Sequence, residues 1–236
     1  MRSKRVGLKP EQNSIERFKR TSRITHHISR VTATLKGSPS TKAERIALTV
    51  LRRLPIDESI EGVEKKRIFR RTAEHALLKK RAIGPLHCAE RCNLAIALLN
   101  ASGVKAWLAR VFVTPKVEGS NKLKWHFHDF VEFVEEGRVK TLVFDSLFVP
   151  KGVADRFNYD ILSGTINSVF PKNHSFVFRA ADSKQIGGVG NWNEYKKYSK
   201  RLDTRDGLVG ELAKNKRRID LLIKEGIIPK EVMGEM

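Results

Sequence analysis

Three side chains that can perform nucleophilic chemistry occur in the order Cys88, His128 and Asp145. A cysteine thiolate attacks an amide or ester carbonyl, and a histidine within hydrogen-bond reach takes the thiol proton and later gives it to the leaving group. A carboxylate on the other ring nitrogen holds the imidazole in the required tautomer and orientation. The residue types therefore predict a thiol nucleophile, its base and an orienting acid, provided that the fold brings them together.

A helix is predicted to begin at the cysteine. The segment after Gly84 and Pro85 has apolar residues at helical spacing, and Ser102-Gly103 ends the pattern. Cys88 then lies in the first turn, where unpaired N–H groups and the helix dipole favour a thiolate, and its own backbone N–H is a candidate oxyanion donor. Cys92 lies one turn later and is interpreted as a packing residue.

A β-hairpin is predicted to carry the histidine and the aspartate. Two segments of alternating polarity flank Glu136-Gly137, and a two-residue loop there pairs residue 135 with residue 138. The same register places His128 directly opposite Asp145, with Cβ atoms about 4.5 to 5.5 Å apart. A three-residue loop with a bulge would shift this register by one residue.

A zinc site is the main chemical alternative near the thiol. His126 shares a predicted strand face with His128, and together with His87 and Cys88 these histidines are possible zinc ligands. The pattern lacks the second spaced pair of ligands that is typical of a zinc site. We therefore predict no metal and no cofactor.

The other polar and aromatic residues near the triad are interpreted as structural. Asp129 alternates to the face opposite His128, which leaves Asp145 as the expected partner of the imidazole. Glu132 falls opposite Thr141 in the predicted register and is expected to support the fold. Trp107 and Trp125 are interpreted as core residues, although an aromatic side chain beside the cleft could gate substrate.

Length, charge and cysteine content indicate a globular, basic protein. The chain has 236 residues, 40% of them apolar, with 46 Lys and Arg against 26 Asp and Glu, a net charge of +20. This length supports one substantial core with helical additions, and the charge predicts an anionic partner. Two cysteines four residues apart suit a reducing interior, and the basic N-terminus lacks the apolar run of a signal peptide, so we expect a cytoplasmic protein without a transmembrane segment.

Further elements are expected on both sides of the triad. A strand is predicted after Gly103 and another at Ser175 to Ala181, with a short helix or irregular cover between residues 151 and 174. Helices are predicted at 13–34, at 42–54 with Thr41 as its cap, after Pro55, and as a C-terminal pair separated or kinked between Asp203 and Gly210. The expected organisation is a basic helical arm at 1–40, a catalytic core at 41–182 and a basic helical extension at 183–236.

The triad segment resembles the transglutaminase-like (papain-related) cysteine enzymes. In that family a helix begins at the nucleophilic Cys and ends in a Gly-Ile-Pro-Ala-Arg-like turn, which Gly103-Val104-Lys105-Ala106 resembles. The family's His-x-Trp-Val-Glu-Val strand is similar to residues 128–133, and its Asp motif is similar to Phe144-Asp145-Ser146. The resemblance covers residues 88–146 and selects Cys88 over Cys92; Ala89 departs from the aromatic residue that the family often has there.

The resemblance implies an α+β, papain/transglutaminase-like core, with an antiparallel sheet packed on the nucleophile helix and helical extensions at both ends. It implies a peptidase, amidase or transglutaminase-type acyltransferase that acts on a protein or peptide through a Cys88 thioester, with His128 and Asp145 completing the triad. The sequence leaves open whether water or an amine resolves the thioester. An alternative also stays open: a basic protein of this fold that binds nucleic acid or another polyanion through its terminal helices, without catalysis.

Overall fold

The fold is α+β and is built on a five-stranded antiparallel sheet, as predicted. A computed structural model describes residues 25–57, 73–79, 82–83, 87–113, 126–144, 159–169, 176–183, 185–186, 197–198 and 200–235. In this part of the chain, no helix is both long enough and apolar enough to cross a membrane.

Along the chain, helices occur before, between and after the strands. The α-helices are α1 (His26–Thr32), α2 (Pro39–Arg53), α3 (Ala73–Lys79), α4 (His87–Ala101), α5 (Ile166–Val169) and α6 (Arg205–Lys224), and a 3-10 helix follows at Lys230–Glu235. The strands are β1 (Ile56–Asp57), β2 (Ala82–Ile83), β3 (Ala106–Val113), β4 (His126–Glu135), β5 (Arg138–Phe144), β6 (Tyr159–Ser163) and β7 (Phe176–Ala180).

The main sheet has the order β6-β5-β4-β3-β7, with every neighbouring pair antiparallel. Strands β3 and β4 are the long central pair, and β1 pairs separately with β2 in parallel. The predicted strand after Gly103 corresponds to β3, and the predicted strand near residue 178 corresponds to β7. Of the predicted triad, the central pair carries His128, on β4.

The β4–β5 hairpin has the predicted two-residue loop. Glu135 pairs with Arg138, and the register runs on to Val131 opposite Leu142. Glu136 and Gly137 both have positive φ, 51° and 73°, as a type I′ turn requires, and this turn matches the twist of the strands that it joins. The bulged three-residue loop, the alternative left open by the sequence, is wrong.

One face of the sheet packs on α2 and α4. Along β4 the side chains of Val131 and Phe133 point to this face, because successive side chains in a strand alternate. They join a large apolar cluster with Ile46 of α2 and Leu98 of α4, all almost fully buried. This face positions α4, the helix that begins next to the predicted nucleophile.

The opposite face is covered by the C-terminal part of the chain. Trp107 of β3 is fully buried against Leu222 of α6 and Val232 of the 3-10 helix. A second cluster on this face joins Phe130 of β4 to Ile166 of α5. The C-terminal helices are therefore part of the packing of the sheet.

Helix α6 also covers the β7 edge of the sheet. The Asn215 side chain accepts a hydrogen bond from the backbone N–H of Arg179 at 3.1 Å and donates one to the carbonyl of Val177 at 3.3 Å. Leu212, one turn earlier, packs with the cluster on the α4 side, whereas Leu222 packs on the other face. The amide thus takes the place of a neighbouring strand at an edge that would otherwise expose backbone donors and acceptors.

The start of α2 corrects the sequence prediction. The helix begins at Pro39 rather than at residue 42, and its cap is Ser38 rather than Thr41. The Ser38 hydroxyl accepts the backbone N–H of Thr41 at 3.2 Å, and proline at the first helical position loses only an N–H that would have no helical partner. Pro39 is therefore the first residue of the helix.

The other helical predictions are partly outside the described residues. Residues 13–24 of the predicted 13–34 helix lie outside the described residues. The described part of this helix is α1, which ends at Thr32. After Pro55 the chain forms β1 rather than entering a helix directly, and α3 is the described part of that helical prediction.

The second half of the chain holds one correction and one confirmed prediction. Strand β6 was not predicted; it lies in a region expected to hold a short helix or irregular cover, and α5 does follow it. The predicted separation of the C-terminal helices between Asp203 and Gly210 is confirmed, because residues 200–202 are helical, the helix is interrupted at 203–204, and α6 begins at Arg205 with Thr204 as its cap. A Cβ on Gly207 would lie 2.1 Å from the Arg201 carbonyl oxygen, so the glycine permits a close turn and does not end the helix.

Candidate active site

Cys88 is the second residue of α4, as the sequence predicts. Its side chain is 6% exposed. In the first helical turn the backbone N–H groups have no partner within the helix, and together with the helix dipole they stabilise a nearby negative charge. The position therefore suits a thiolate.

Cys92 is a core residue, which confirms its interpretation. It is fully buried within the apolar cluster between α4 and the sheet. Its thiol donates a hydrogen bond to the backbone carbonyl of Asp129 at 3.2 Å. This contact joins α4 to β4 beside His128.

The direction of α4 along β4 follows from a contact near the end of the helix. Asn100 bonds the backbone of Ala106 with both its amide nitrogen and its oxygen, and Ala106 pairs with Phe133. Asn100 therefore lies at the level of Phe133 on β4, and Cys92, earlier in the same helix, lies at the level of Asp129. Cys88, about 6 Å earlier at 1.5 Å per residue, continues toward the beginning of β4. The first turn of α4 and His128 thus lie at the same end of the sheet.

The imidazole of His128 is held by the neighbouring strand. The side chain is 3% exposed, and Nε2 lies 3.0 Å from the backbone carbonyl oxygen of Phe144. A carbonyl oxygen can only accept, so Nε2 carries the proton in this contact. In the neutral ring, Nδ1 then holds the lone pair that can take a proton, which is the state a general base requires.

Asp145 lies outside the described residues, so its pairing with His128 stays a prediction. The residue before it, Phe144, is fully buried and pairs with Tyr159 of β6. The described β4–β5 pairing ends at Val131 and Leu142, before it reaches His128.

The two faces of β4 constrain how the thiol and the imidazole can meet. The His128 ring packs edge-on against Phe130, with centroids 4.8 Å apart, on the sheet face that also carries Glu132. Helix α4 packs on the other face, where Cys92 lies over Asp129. A Cys88–His128 contact therefore has to form at the end of the sheet, beyond the last β4–β5 pair, and not across the middle of a face.

Asp129 points away from His128, as predicted, and holds Arg110. The guanidinium donates to both carboxylate oxygens, at 2.5 and 2.7 Å, and Arg110 Nη1 donates to the carbonyl of Ile186 at 2.8 Å. The same guanidinium lies 4.4 Å from the centre of the Phe127 ring. The backbone on both sides of His128 is thereby fixed to β3.

Glu132 is a structural residue opposite Thr141, as predicted. Its fully buried carboxylate accepts hydrogen bonds from Arg179 at 2.7 and 2.9 Å, from the Trp107 indole at 2.6 Å and from the Ile166 backbone at 3.0 Å. Burial alone would raise the pKa of Glu132, but the Arg179 charge and these hydrogen bonds outweigh burial and lower it. Trp107 is a core residue, as predicted; Trp125 lies outside the described residues.

Arg110 and Arg179 were not predicted from the sequence to be functional or structural partners of β4. Both are almost fully buried and each neutralises a carboxylate of β4. A signal was present, since each is the one charged residue in an otherwise apolar strand segment, AWLARVFV and FVFRA. A charged side chain in such a strand indicates a buried ionic partner, because an unpaired charge is rarely buried.

No group of three or more histidine, cysteine or acidic residues that could hold a metal ion occurs among the residues that the structure describes. The side chains of His87 and His126, considered as zinc ligands, fall outside them. The described geometry thus contains one candidate arrangement, a thiol at a helix start and a histidine with its Nε2 proton engaged. No protein-family model matches the chain, and comparisons with curated proteins and with solved structures found no match either.

Proposed function

We propose that this chain is a cysteine-dependent amide hydrolase or acyltransferase with a transglutaminase-like (papain-related) core. Cys88 is the nucleophile, His128 its base and Asp145 the orienting acid. The observation that carries the proposal is the contact of His128 Nε2 with the carbonyl of Phe144, because it leaves Nδ1 as the proton acceptor. The first turn of α4 at the same end of the sheet supports it.

The reaction follows from these roles. His128 Nδ1 takes the proton of the Cys88 thiol, and the sulfur attacks the carbonyl carbon of an amide. The backbone N–H of Cys88 donates to the developing oxyanion. The C–N bond then breaks, the imidazolium returns its proton to the leaving amine, and a thioester remains. Water completes a hydrolysis, and an amine completes an acyl transfer.

The substrate we propose is a protein or peptide amide, either a main-chain bond, an isopeptide bond or a glutamine side chain. The expected place of action is the cytoplasm, where thiols stay reduced. We propose that the Asp145 carboxylate orients the imidazole of His128 by accepting the Nε2 proton. Because the Phe144 carbonyl already accepts from Nε2, Asp145 would share this proton or replace the carbonyl during the reaction.

A thiol-directed covalent probe tests the nucleophile. The probe should label the wild type and Cys92→Ala but not Cys88→Ala, and His128→Gln should slow labelling at neutral pH because the base is lost. Mass spectrometry of the adduct identifies the labelled residue, and circular dichroism verifies that each variant is folded. Labelling confined to Cys92, or an unchanged rate in His128→Gln, would contradict the proposal. A trapped Cys88 acyl-enzyme formed in lysate would report the acyl group of the substrate.

A second candidate is the basic binding protein. Helix α6 exposes five basic side chains, on a chain of net charge +20: Arg205, Lys214, Lys216, Arg217 and Lys224. Contacts of this kind to a phosphate backbone weaken steeply with salt. RNA binding that falls with salt and is unchanged in Cys88→Ala would favour this function, whereas loss of binding in Cys88→Ala would count against it.

A further inference from the structure

A cleft outside the candidate active site lies between α1, α2 and α3. Its volume is about 540 Å³. Pockets for small molecules commonly have volumes of about 300–1,000 Å³. The cleft is therefore large enough to hold a nucleotide-sized group.

The polar lining of the cleft is cationic and hydroxylic. Helix α1 contributes His27 and Arg30, Thr34 follows the end of this helix, and α2 contributes Thr49 and Arg53 one turn apart. The Thr49 hydroxyl donates to the carbonyl of its own helix at 2.8 Å, and the lone pairs of its oxygen remain able to accept. Among the residues that the structure describes, no carboxylate lines this cleft.

Both arginines of the cleft are exposed, and neither has an acidic partner in the described part of the chain. Within the described ranges, the ion pairs involve other cations, and neither Arg30 nor Arg53 takes part in one. This contrasts with Arg110 and Arg179, whose guanidinium groups are each committed to a buried carboxylate. The cleft thus offers two guanidinium groups to a ligand.

The apolar lining is positioned to receive the organic part of a ligand. Val31 of α1 and Leu77 of α3 line the cleft beside the charged groups, and Leu77 is only 5% exposed. Leu78 also lines it and is 53% exposed, an unusual position for a large apolar side chain. Contact with a flat or apolar group would remove part of this surface from water.

We propose that this cleft binds a phosphate group carried by an organic ligand. A guanidinium matches phosphate with two parallel hydrogen bonds, and a phosphate monoester carries a charge of about −1.5 to −2 that two arginines can balance. The Thr34 hydroxyl can donate to a further phosphate oxygen. The phosphate can come from a free nucleotide, whose terminal phosphate carries the larger charge, or from a nucleic-acid strand, whose phosphodiesters each carry one negative charge; in both, the non-bridging oxygens accept from the arginines.

Matched variants of neighbouring arginines test the proposal. ATP and a short single-stranded RNA are titrated into the full chain carrying Cys88→Ala, so that no covalent chemistry at the candidate active site contributes. Arg53→Gln should weaken binding about tenfold, because it removes a charge-assisted pair of hydrogen bonds. Arg52→Gln removes the same charge from the same helical turn but does not line the cleft, and should change the affinity less than about twofold.

The two ligands distinguish the source of the phosphate. ATP binding that depends on Arg53 and Arg30 indicates a free nucleotide, and Arg53-dependent binding of RNA alone indicates a nucleic-acid strand; both support the cleft. Equal losses in Arg52→Gln and Arg53→Gln would mean diffuse attraction by the basic surface and would overturn the proposal. Failure of both ligands to bind the parent chain would overturn it as well.

Discussion

The two faces of the central sheet each hold a buried arginine–carboxylate pair, and the two pairs differ in what they fix. Asp129 and Glu132 are three residues apart on β4, so their side chains point to opposite faces. Each accepts two hydrogen bonds from a β3 or β7 arginine, Arg110 or Arg179.

The Glu132 pair fixes the middle of the sheet. Arg179 on β7 reaches Glu132 on β4 across Ala109, whose small side chain leaves the space for the guanidinium. The carboxylate has further donors in β3 and in α5, so that it joins three strands and a helix. Arg179 Nη1 is buried without a hydrogen-bond partner in the described part of the chain.

The Asp129 pair fixes the strand segment that carries His128. Arg110 retains two contacts besides the carboxylate, the Ile186 carbonyl and the Phe127 ring. The backbone of Asp129 also accepts the Cys92 thiol from α4. The Glu132 pair therefore stabilises the sheet, whereas the Asp129 pair holds the candidate base relative to the helix of the candidate nucleophile.

The largest effect is expected for Glu132→Ala. The substitution leaves the Arg179 guanidinium buried without a counter-charge, and we expect a loss of about 3–5 kcal/mol in the free energy of unfolding, measured by urea denaturation. The double variant Glu132→Leu with Arg179→Met should recover most of the loss, since both charges are then absent. A single variant that unfolds at the wild-type urea concentration would show that the two pairs do not differ as described.

A smaller loss of stability is expected for Asp129→Asn, about 2 kcal/mol, since Arg110 keeps its contacts with Ile186 and Phe127. If the proposed triad operates, labelling of Cys88 by the thiol probe should also slow, because the strand beside His128 loses an anchor. Glu132→Gln serves as the control for a general loss of stability. Equal labelling rates in Asp129→Asn and Glu132→Gln would show that the Asp129 pair has no special role in holding His128.

The smallest effect is expected at a third β4 carboxylate, Glu135, which is partly exposed. Hydrogen bonds from Lys140 and Ser40 lower its pKa from the usual 4.5 to about 2. A lowered pKa in the folded state adds stability in full above about pH 4.5, and this contribution is lost as the pH falls toward 2. The stability difference between wild type and Glu135→Gln, followed by urea denaturation, should therefore shrink over that range; a constant difference would contradict the assignment.

Where the determining signals are local, the sequence predicted the structure. The hairpin at Glu136-Gly137 follows from a turn residue that accepts positive φ between two alternating segments. The start of α4 next to Cys88 follows from a short apolar pattern bounded by Gly and Pro. The burial of Cys92 and the opposite orientations of His128 and Asp129 follow from helical and strand periodicity.

Other features depended on partners distant in the chain. Strand β6 forms because β5 supplies its hydrogen bonds, and Ser40 at the beginning of α2 is held by Glu135 from the sheet. A polar residue in a strand does not reveal which of many distant charges will pair with it, so Arg110 and Arg179 were not recognised as partners of β4.

By itself, the sequence determined the α+β class, the central hairpin and its register, and the position of Cys88 in a helical first turn. These depend on φ preferences, hydrophobic period and helix ends, which act over a few residues. Only the tertiary structure decided that α4 begins at the His128 end of the sheet, that the Phe144 carbonyl engages the imidazole, and which arginine neutralises each carboxylate. Those contacts depend on the packing of segments that are remote in sequence, where burial makes each unpaired polar group costly.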